Sequence, residues 1–218
     1  MRFDLKTIAT WVKPGSRVLD LGCDTGVLLE YLIHKKNVKG TGIEKDEEKV
    51  TIGILKGVNV IQGDINEEIL DYGDQTFDYV ILSRTLQQVT RPAWLISQML
   101  RVGRKGIVSF PNYSYYKNRI FFFLKGRAPI SRELPYEWFD TPNIRRIGIT
   151  DFKRFCRIFG FKIEREIHIS TYHQEEEGKV VKFFPNLFAT YGIFMLSKLK
   201  TQRQNLQFQV KATAGFSP

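Results

Sequence analysis

The chain has 218 residues, 43% of them hydrophobic, which suffices for one sizeable α/β core but hardly for two domains of average size. No apolar run approaches the roughly 18 residues that a membrane-spanning helix needs, and the first residues lack the apolar stretch of a secretion signal. Cys23 and Cys156 could form one disulfide, but two buried thiols in a reducing cytoplasm are the simpler interpretation. We therefore expect a cytoplasmic protein with a single domain.

The formal net charge of +10 is concentrated in one part of the sequence. Between Asp78 and Glu133 the chain has no acidic residue but ten lysines and arginines, as many as the whole excess. Such a segment could contact nucleic acid or an anionic membrane, yet it contains no recognisable nucleic-acid-binding module and no spanning segment, so we expect neither. The three histidines are scattered and no Cys/His cluster occurs, so we expect no metal site.

Helical and strand patterns alternate through the first half of the chain, which is typical of a doubly wound, mostly parallel α/β sheet. The predicted strands are Arg17 to Leu21, Val38 to Ile43, Val58 to Gln62, Phe77 to Ser83 and Arg104 to Phe110. The predicted helices are Phe3 to Val12, Val27 to His34, Asp46 to Lys56 and Ala93 to Leu100.

The regular alternation stops after Pro111. Residues 112–150 form a segment too long for an ordinary connection, which predicts an insertion with short structure of its own. The remaining predicted elements are a helix and two antiparallel strands that close a seven-stranded sheet: Asp151 to Phe159, Phe161 to Ile169 and Thr190 to Ser197. The polar residues 199–218 are predicted to form a tail beyond the domain of residues 1–198.

A glycine-bearing loop follows the first predicted strand, within Val18 to Gly26. Ligands of doubly wound sheets bind at the carboxyl ends of the strands, beside the amino end of the next helix. A dinucleotide fingerprint would need a glycine where this chain has Asp24. The spacing instead resembles the acid-x-Gly-x-Gly-x-Gly loop of class I methyltransferases, although a plain tight turn is the alternative. The cofactor-binding residues expected in this loop are Asp20, Gly22, Cys23 and Gly26.

Three further strand ends carry side chains suited to an adenosyl ligand. Glu44 closes the second strand, where a carboxylate can accept hydrogen bonds from both ribose hydroxyls. Asp64 follows the third strand and could accept one from the adenine amino group while Ile65 packs on the ring, and Ser83 ends the fourth strand beneath the ligand. A lone acid is more often a helix cap or a solvated loop residue. The order of these positions after successive strands nevertheless favours a site for S-adenosylmethionine or S-adenosylhomocysteine.

Further stretches of the chain add a more specific pattern. They are Gly57 to Asp64, Phe77 to Leu86, Leu100 to Arg104, Val108 to Asn112 and, most specific of all, Leu134-Pro135-Tyr136-Glu137-Trp138-Phe139-Asp140-Thr141-Pro142-Asn143. With these stretches, residues 1 to about 198 resemble the methionine-biosynthesis protein MetW family. The family commonly has Gly-Asp where this chain has Asp24-Thr25, so Asp24 could either reach the ligand's amino group or crowd the loop.

The resemblance implies a class I methyltransferase fold and a link to homoserine O-acyltransferase (acetyl- or succinyltransferase), the enzyme that acylates homoserine on the way to methionine. It implies no particular methyl acceptor. Two functions therefore remain open. The protein is either a cofactor-binding accessory of homoserine O-acyltransferase or an active methyltransferase with an unknown small-molecule or protein acceptor.

No catalytic residue can be named from the sequence. Methyl transfer mainly needs alignment of the nucleophile, the methyl group and the leaving sulfur, and a base only if the acceptor must lose a proton. The fourth strand ends in Leu82-Ser83-Arg84-Thr85 rather than in the Asp/Asn-Pro-Pro-aromatic tetrapeptide of amino methyltransferases, and no histidine lies near it.

The predicted insertion contains an apolar run edged by cations, within Asn112 to Arg127. Its phenylalanines could pack on the sheet, cover the site as a lid, dock onto a protein partner or lie at a membrane surface. The aromatic anchors and cationic rim expected for a partner surface are Phe121, Phe122, Phe123, Trp138, Arg119 and Arg127.

Overall fold

A computed structural model gives the structure of residues 1–131, 134–171 and 175–199, which form eight strands, eight α-helices and two short 3-10 helices, Ile69–Asp71 and Leu86–Gln88. The strands are β1 Arg17–Leu21, β2 Lys39–Glu44, β3 Asn59–Gln62, β4 Phe77–Ser83, β5 Gly103–Pro111, β6 Phe161–Ser170, β7 Lys179–Val180 and β8 Tyr191–Lys198. The helices are α1 Phe3–Trp11, α2 Val27–Lys36, α3 Glu47–Leu55, α4 Ile65–Glu68, α5 Pro92–Val102, α6 Tyr116–Lys125, α7 Ile149–Ile158 and α8 Pro185–Phe188. Apart from Leu199, the predicted tail lies outside the described residues.

All eight strands belong to one sheet, in the order β3-β2-β1-β4-β5-β8-β6-β7. The first five strands are parallel, and β8 runs antiparallel to both β5 and β6. The predicted doubly wound, mostly parallel sheet is confirmed. The predicted strand number of seven is wrong by one, because the short strand β7 pairs with the end of β6. A strand of two residues is too short to show the alternation of apolar and polar residues by which strands are predicted.

The central parallel strands β1, β4 and β5 are buried on both faces of the sheet. Leu19 and Leu21 of β1 pack in a core with α5 and α7, whereas Val18 packs in a second core with α1 and α2. Successive side chains of a strand point to opposite faces, so helices on both sides make β1 apolar almost throughout. None of the helices among the described residues is long and apolar enough to cross a membrane.

Three aromatic rings join the parallel and antiparallel halves of the sheet. Phe110 of β5 lies 4.9 Å from Phe152 of α7 and 5.7 Å from Phe194 of β8, measured between ring centroids. Phe152 and Phe194 are 4.7 Å apart. All three side chains are almost completely buried, so this cluster holds α7 against the sheet.

The side chain of Asn112 joins the two ends of the predicted insertion. Its Oδ1 accepts hydrogen bonds from the backbone amides of Ser114, at 3.1 Å, and Ile149, at 3.4 Å. Its Nδ2 donates to the carbonyls of Asn186 and Ala189. Asn112 is buried, and these bonds satisfy its amide. The insertion therefore leaves the sheet and returns to it at one point, and α6 is its one regular helix within the described residues.

We expect Phe194→Ala to lower the free energy of unfolding by about 3–5 kcal/mol, because a cavity would replace the ring between Phe110 and Phe152. Phe123 is 86% exposed and provides the control. Phe123→Ala should change the free energy by less than about 0.5 kcal/mol. Urea denaturation measures both changes, and equal losses would contradict the placement of Phe194 in the core.

Candidate ligand-binding site

A cavity of about 980 Å³ opens at the edge of the sheet where the parallel strands end. Strand β1 lies between β2 and β4, so the order of the strands reverses at this place. Ligands of open α/β sheets bind in the crevice at such a reversal. The volume is at the upper end of the range of small-molecule pockets, about 300–1,000 Å³.

Seven of the eight predicted site residues line this cavity, and one does not. The seven are Asp20, Gly22, Cys23, Glu44, Asp64, Ile65 and Ser83. Gly26 is the residue before α2, with φ of 71°, and a Cβ at this position would meet a methyl group of Val58 at 3.3 Å. The glycine therefore serves the turn between strand and helix and its packing, and the structure does not bring it to the cavity wall.

Gly22 and Asp24 both have left-handed backbone conformations, with φ of 71° and 52°. A Cβ on Gly22 would lie 2.9 Å from Oγ1 of Thr85, so Gly22→Val would disturb the loop even without a ligand. Asp is one of the few residues that tolerate this conformation. The Asp24 side chain forms an ion pair with α3, in which its Oδ1 lies 3.1 Å from Nζ of Lys49.

The Glu44 carboxylate is held by three backbone amides. Its Oε2 accepts a hydrogen bond from Asp24 at 2.9 Å, and its Oε1 accepts from Lys45 at 2.9 Å and from Asp46 at 3.1 Å. The end of β2 and the glycine loop are thus tied together through one side chain. A carboxylate has about four acceptor positions, so the bonds to the amides leave roughly one for a ligand.

Asp64 is both a cavity residue and a helix cap. Its Oδ1 accepts hydrogen bonds from the backbone amide of Asn66, at 2.8 Å, and from the Asn66 side chain, at 2.7 Å. The backbone hydrogen bond is the main reason that the pKa of Asp64 is lowered. The cap thus uses Oδ1, while Oδ2 lies 3.8 Å from Nζ of Lys45. Ile65, the first residue of α4, is half-buried and packs against the core.

Asp20 is the most deeply buried acid that lines the cavity. Asp20 is 3% exposed, and its Oδ1 has no hydrogen-bond partner among the described residues. Burial raises the pKa of Asp20 to about 7; repulsion by Glu44 and Asp24 adds to this, and attraction by Arg2 opposes it. The cavity therefore contains a buried acceptor whose charge changes near neutral pH.

Ser83 and Cys23 offer the cavity little reactivity. The Ser83 hydroxyl lies 3.1 Å from that of Ser109 on the neighbouring strand. Cys23 is buried, and desolvation raises the pKa of its thiol far above the usual range, so the thiol stays neutral. Cys23 and Cys156 are both free and buried, as expected from the sequence. Among the described residues, no three histidine, cysteine or carboxylate side chains are placed to hold a metal ion.

Other cavity residues come from segments that the sequence patterns do not identify as part of the site. They include Arg2 and Leu5 at the beginning of α1, Arg84, Thr85 and Gln87 to Thr90 after β4, Tyr191 of β8, and Pro135, Tyr136 and Asn143 of the insertion. One signal was present for α1. Asp4 shares a helical stripe with the apolar residues Ile8 and Trp11, and an acid on a buried stripe requires a buried cation as its partner. The others depend on tertiary packing.

Comparison with known proteins identifies the family. A family model described as methionine biosynthesis protein MetW matches residues 2–196. The chain belongs to the MetW family. It is 34% identical over 176 residues to a bifunctional methionine biosynthesis protein MetXA/MetW of Rhodopirellula baltica, an alignment that covers 77% of this chain and 28% of that protein. A demethylmenaquinone methyltransferase of Alkalihalophilus pseudofirmus is 31% identical over 134 residues, covering 55% of this chain.

This MetW-family chain spans only 28% and 56% of the lengths of those two relatives. Solved structures share its fold at low sequence identity. A possible histamine N-methyltransferase of Thermotoga maritima has a TM-score of 0.66 at 19% identity, covering 90% of this chain and 88% of that one. A SAM-dependent methyltransferase of Archaeoglobus fulgidus has a TM-score of 0.64 at 16% identity, covering 89% and 91%. These similarities show the class I methyltransferase fold.

We expect Asp20→Asn to stabilise the ligand-free protein, relative to the parent, more at pH 8 than at pH 5. The pKa of Asp20 is about 7 in the folded protein and 3.8 ordinarily. Between these values the folded protein holds a proton that the unfolded chain loses, so the parent's stability falls as the pH rises from about 4 to about 7. Asparagine does not titrate. Melting temperatures of both proteins at the two pH values measure the effect, and a pH-independent difference would contradict the raised pKa.

Proposed function

We propose that this protein binds S-adenosylmethionine or S-adenosylhomocysteine in the cavity and acts in the cytoplasm as an accessory subunit of homoserine O-acyltransferase. The observation that carries the proposal is the match to the MetW family. The relative that joins MetXA and MetW in one chain indicates the partner. Fusion raises the effective concentration of two parts for each other, which is useful when the parts act together. We take MetXA to be the acyltransferase that the family resemblance implies. The two free, buried thiols support a reducing compartment.

The polar groups of the cavity suit the parts of an adenosyl ligand. Glu44 is held in place before a ligand arrives, and its remaining acceptor position can take a ribose hydroxyl. For Glu44 to accept hydrogen bonds from both ribose hydroxyls, its carboxylate would have to release one of the three backbone amides. Asp64 and Ile65 lie beyond the next strand, where the adenine would be bound. Asp20 offers its buried Oδ1 to the ammonium group of the ligand's amino-acid tail.

We expect Glu44→Ala to weaken binding of S-adenosylhomocysteine about tenfold or more. The loss of a charge-assisted hydrogen bond costs about 1.5–3 kcal/mol, and the variant also frees the amides that order the loop. Glu47, an exposed acid on the neighbouring α3, provides the control Glu47→Ala. Isothermal titration of the parent and both variants, with each of the two adenosyl ligands, measures the change. If a folded Glu44→Ala variant binds the ligand with parental affinity, Glu44 does not contact the ligand.

The insertion presents apolar side chains that cover nothing in the described chain. We call this set the α6 surface, and its members are Ile120, Phe122, Phe123 and Leu124. Leu124 is 69% exposed and Phe123 still more so. Phe121 is half-buried, with the Arg127 guanidinium 5.7 Å from its ring centroid. The alternative that these phenylalanines pack on the sheet is therefore wrong for Phe122 and Phe123.

Cations and further aromatic rings accompany the α6 surface. Lys117 and Arg119 on the helix are exposed, and α6 contains no acidic residue. Trp138 and Phe139, in the most family-specific stretch, are exposed and pack edge to face at 5.7 Å. Aromatic anchors within a polar rim dominate the energy of protein interfaces.

Helix α8 extends this surface with rings that the sequence patterns do not single out. Phe183 and Phe184 are exposed just before α8, and Phe188 lies at its end. The Phe188 ring is 5.9 Å from that of Tyr116, the first residue of α6. The two helices thus meet, and we propose that the acyltransferase docks on the α6 surface and its continuation at α8.

Arg145 connects the insertion to the cavity wall. Its backbone amide donates to the carbonyl of Gln87 at 3.0 Å, and its guanidinium donates to the carbonyls of Val89 and Thr90. Gln87, Val89 and Thr90 all line the cavity. A ligand that orders this wall also acts on the insertion, which supports a coupling between ligand binding and partner binding.

We expect the double variant Phe123→Ser and Leu124→Ser to weaken the complex with homoserine O-acyltransferase at least about tenfold, because exposed apolar anchors are lost. Its melting temperature and its affinity for S-adenosylhomocysteine should stay near the parental values. Leu55→Ser on α3 removes an equally exposed apolar side chain far from α6 and provides the control. Biolayer interferometry measures the affinity, and the acylation rate measures the activation.

The accessory role would be contradicted if the purified pair neither associates nor changes the acylation rate at micromolar concentrations. Association that is insensitive to the double variant would instead place the interface elsewhere. Binding of the parent to anionic vesicles, lost in the double variant, would favour the membrane alternative for the α6 surface.

An active methyltransferase with an unknown acceptor is the second candidate function. The methyltransferases among the curated relatives favour it, as does a cavity with room for more than one small molecule. No residue is assigned as a base. Steady release of S-adenosylhomocysteine in the presence of an acceptor would support this function over the accessory role.

A further inference from the structure

The two chain segments that form the α6 surface and its continuation at α8 contain no acidic residue. One is the stretch between Asp78 and Glu133, and the other begins after Glu177. A lysine or arginine in either segment therefore has no carboxylate nearby in the sequence to neutralise it. The charge that these two segments carry is positive throughout.

Four exposed cations lie among the exposed apolar side chains. Arg119 is one helical turn before Phe123, so the two side chains are neighbours on α6. Lys125 is the last residue of α6, and Arg127 follows two residues later. Lys182 precedes the two exposed rings in front of α8. Cations therefore accompany the apolar side chains on both helices.

These four cations form no ion pair with the residues that the structure describes. An exposed lysine elsewhere in the chain behaves differently, since Nζ of Lys162 lies 2.8 Å from Oε1 of Glu164. The Nε of Arg119 donates to the backbone carbonyl of Ser114 at 2.6 Å, which orients the guanidinium but leaves its charge in place. The four positive charges are thus compensated by solvent ions alone among the groups described.

The outer face of α6 has the pattern of a helix that packs on another apolar surface. Ile120, Phe123 and Leu124 recur at positions i, i+3 and i+4, which lie on one face, and each of them is more than half exposed. Asn118 is buried, and its Nδ2 donates to the carbonyl of Tyr113. One side of α6 is therefore anchored to the protein, while its apolar stripe points outward.

Positive charges that are gathered on one face repel each other, and salt or an opposite charge relieves the repulsion. Such a face also attracts a partner of opposite charge before contact and so raises the rate of association. Apolar anchors then hold the partner once water has been excluded. An acidic surface with apolar side chains at its centre is complementary to this face in both respects.

We propose that the α6 surface and its continuation at α8 recognise an acidic face of the acyltransferase, on which carboxylates surround apolar side chains. The four cations set the rate of association, and the apolar anchors set the lifetime of the complex. This inference rests on the proposed function. The relative that carries MetXA and MetW in one chain supports a protein, rather than a membrane, as the occupant.

We expect the double variant Arg119→Glu and Lys182→Glu to lower the rate of association with homoserine O-acyltransferase at least about tenfold at low salt, because steering by charge changes association rates by about 10- to 1,000-fold. The dissociation rate should change less, since the apolar anchors remain. The pair Arg119→Gln and Lys182→Gln should lose less than the reversal. High salt should bring the parent's association rate close to that of the double variant.

A second pair, Arg127→Glu and Lys182→Glu, reverses the same charge without disturbing the bond between Arg119 and Ser114. The control is Lys35→Glu with Lys39→Glu, which changes the net charge equally at exposed positions where α2 ends and β2 begins. Melting temperatures establish that each variant folds. Biolayer interferometry at low and high salt measures both rates.

Association that neither salt nor charge reversal changes would overturn the acidic face and leave the accessory role intact. Equal losses in the control would also overturn it, because the effect would then belong to the net charge. Binding of the parent to anionic vesicles, without binding to the acyltransferase, would assign the surface to a membrane. If the purified pair does not associate at any salt concentration, the inference and the accessory role both fail.

Discussion

The reversal of strand order at β1 is the constraint on which the rest of the structure depends. Because β2 lies on one side of β1 and β4 on the other, the connecting segments leave the carboxyl edge in opposite directions and a crevice remains between them. The parallel strands bring Asp20, Glu44 and Ser83 to the same edge from distant parts of the sequence. The helices on both faces exclude water from the apolar side chains of the sheet.

Burying polar and charged groups beside the crevice lowers the stability of the folded protein. Asp20 is buried with an unpaired oxygen, and the Asp4–Arg84 pair is removed from water. Replacing a buried ion pair with apolar residues is often neutral or stabilising, so stability alone does not account for these groups. Asp20 and Arg84 both line the cavity. Groups that lack partners in the free protein are the ones that gain most when a complementary ligand arrives.

Much of the sheet and part of the site could be predicted because their signals are local. Strands β1, β4 and β8 are rich in apolar residues, Glu44 is the last residue of β2, and Asp64 lies two residues after the end of β3. What could not be predicted depends on packing between distant segments. The proximity of Arg2 to Asp20 requires α1 to lie against the sheet, and the exposure of Phe123 requires α6 to project from it. The structure places Gly26 against Val58 and not in the cavity wall, a distinction that the sequence of a turn does not show.

The bonds of Asn112 have a consequence for the evolution of the fold. One buried amide ties the place where the insertion departs to the place where it returns, so the ends of the excursion are fixed whatever lies between them. The entropy of closing a loop grows only slowly with its length. The intervening residues can therefore be lengthened, shortened or exchanged with little effect on the sheet. Chains with this fold can therefore vary that excursion while keeping the sheet to which it is attached, although Pro135, Tyr136 and Asn143 within it also form part of the cavity wall.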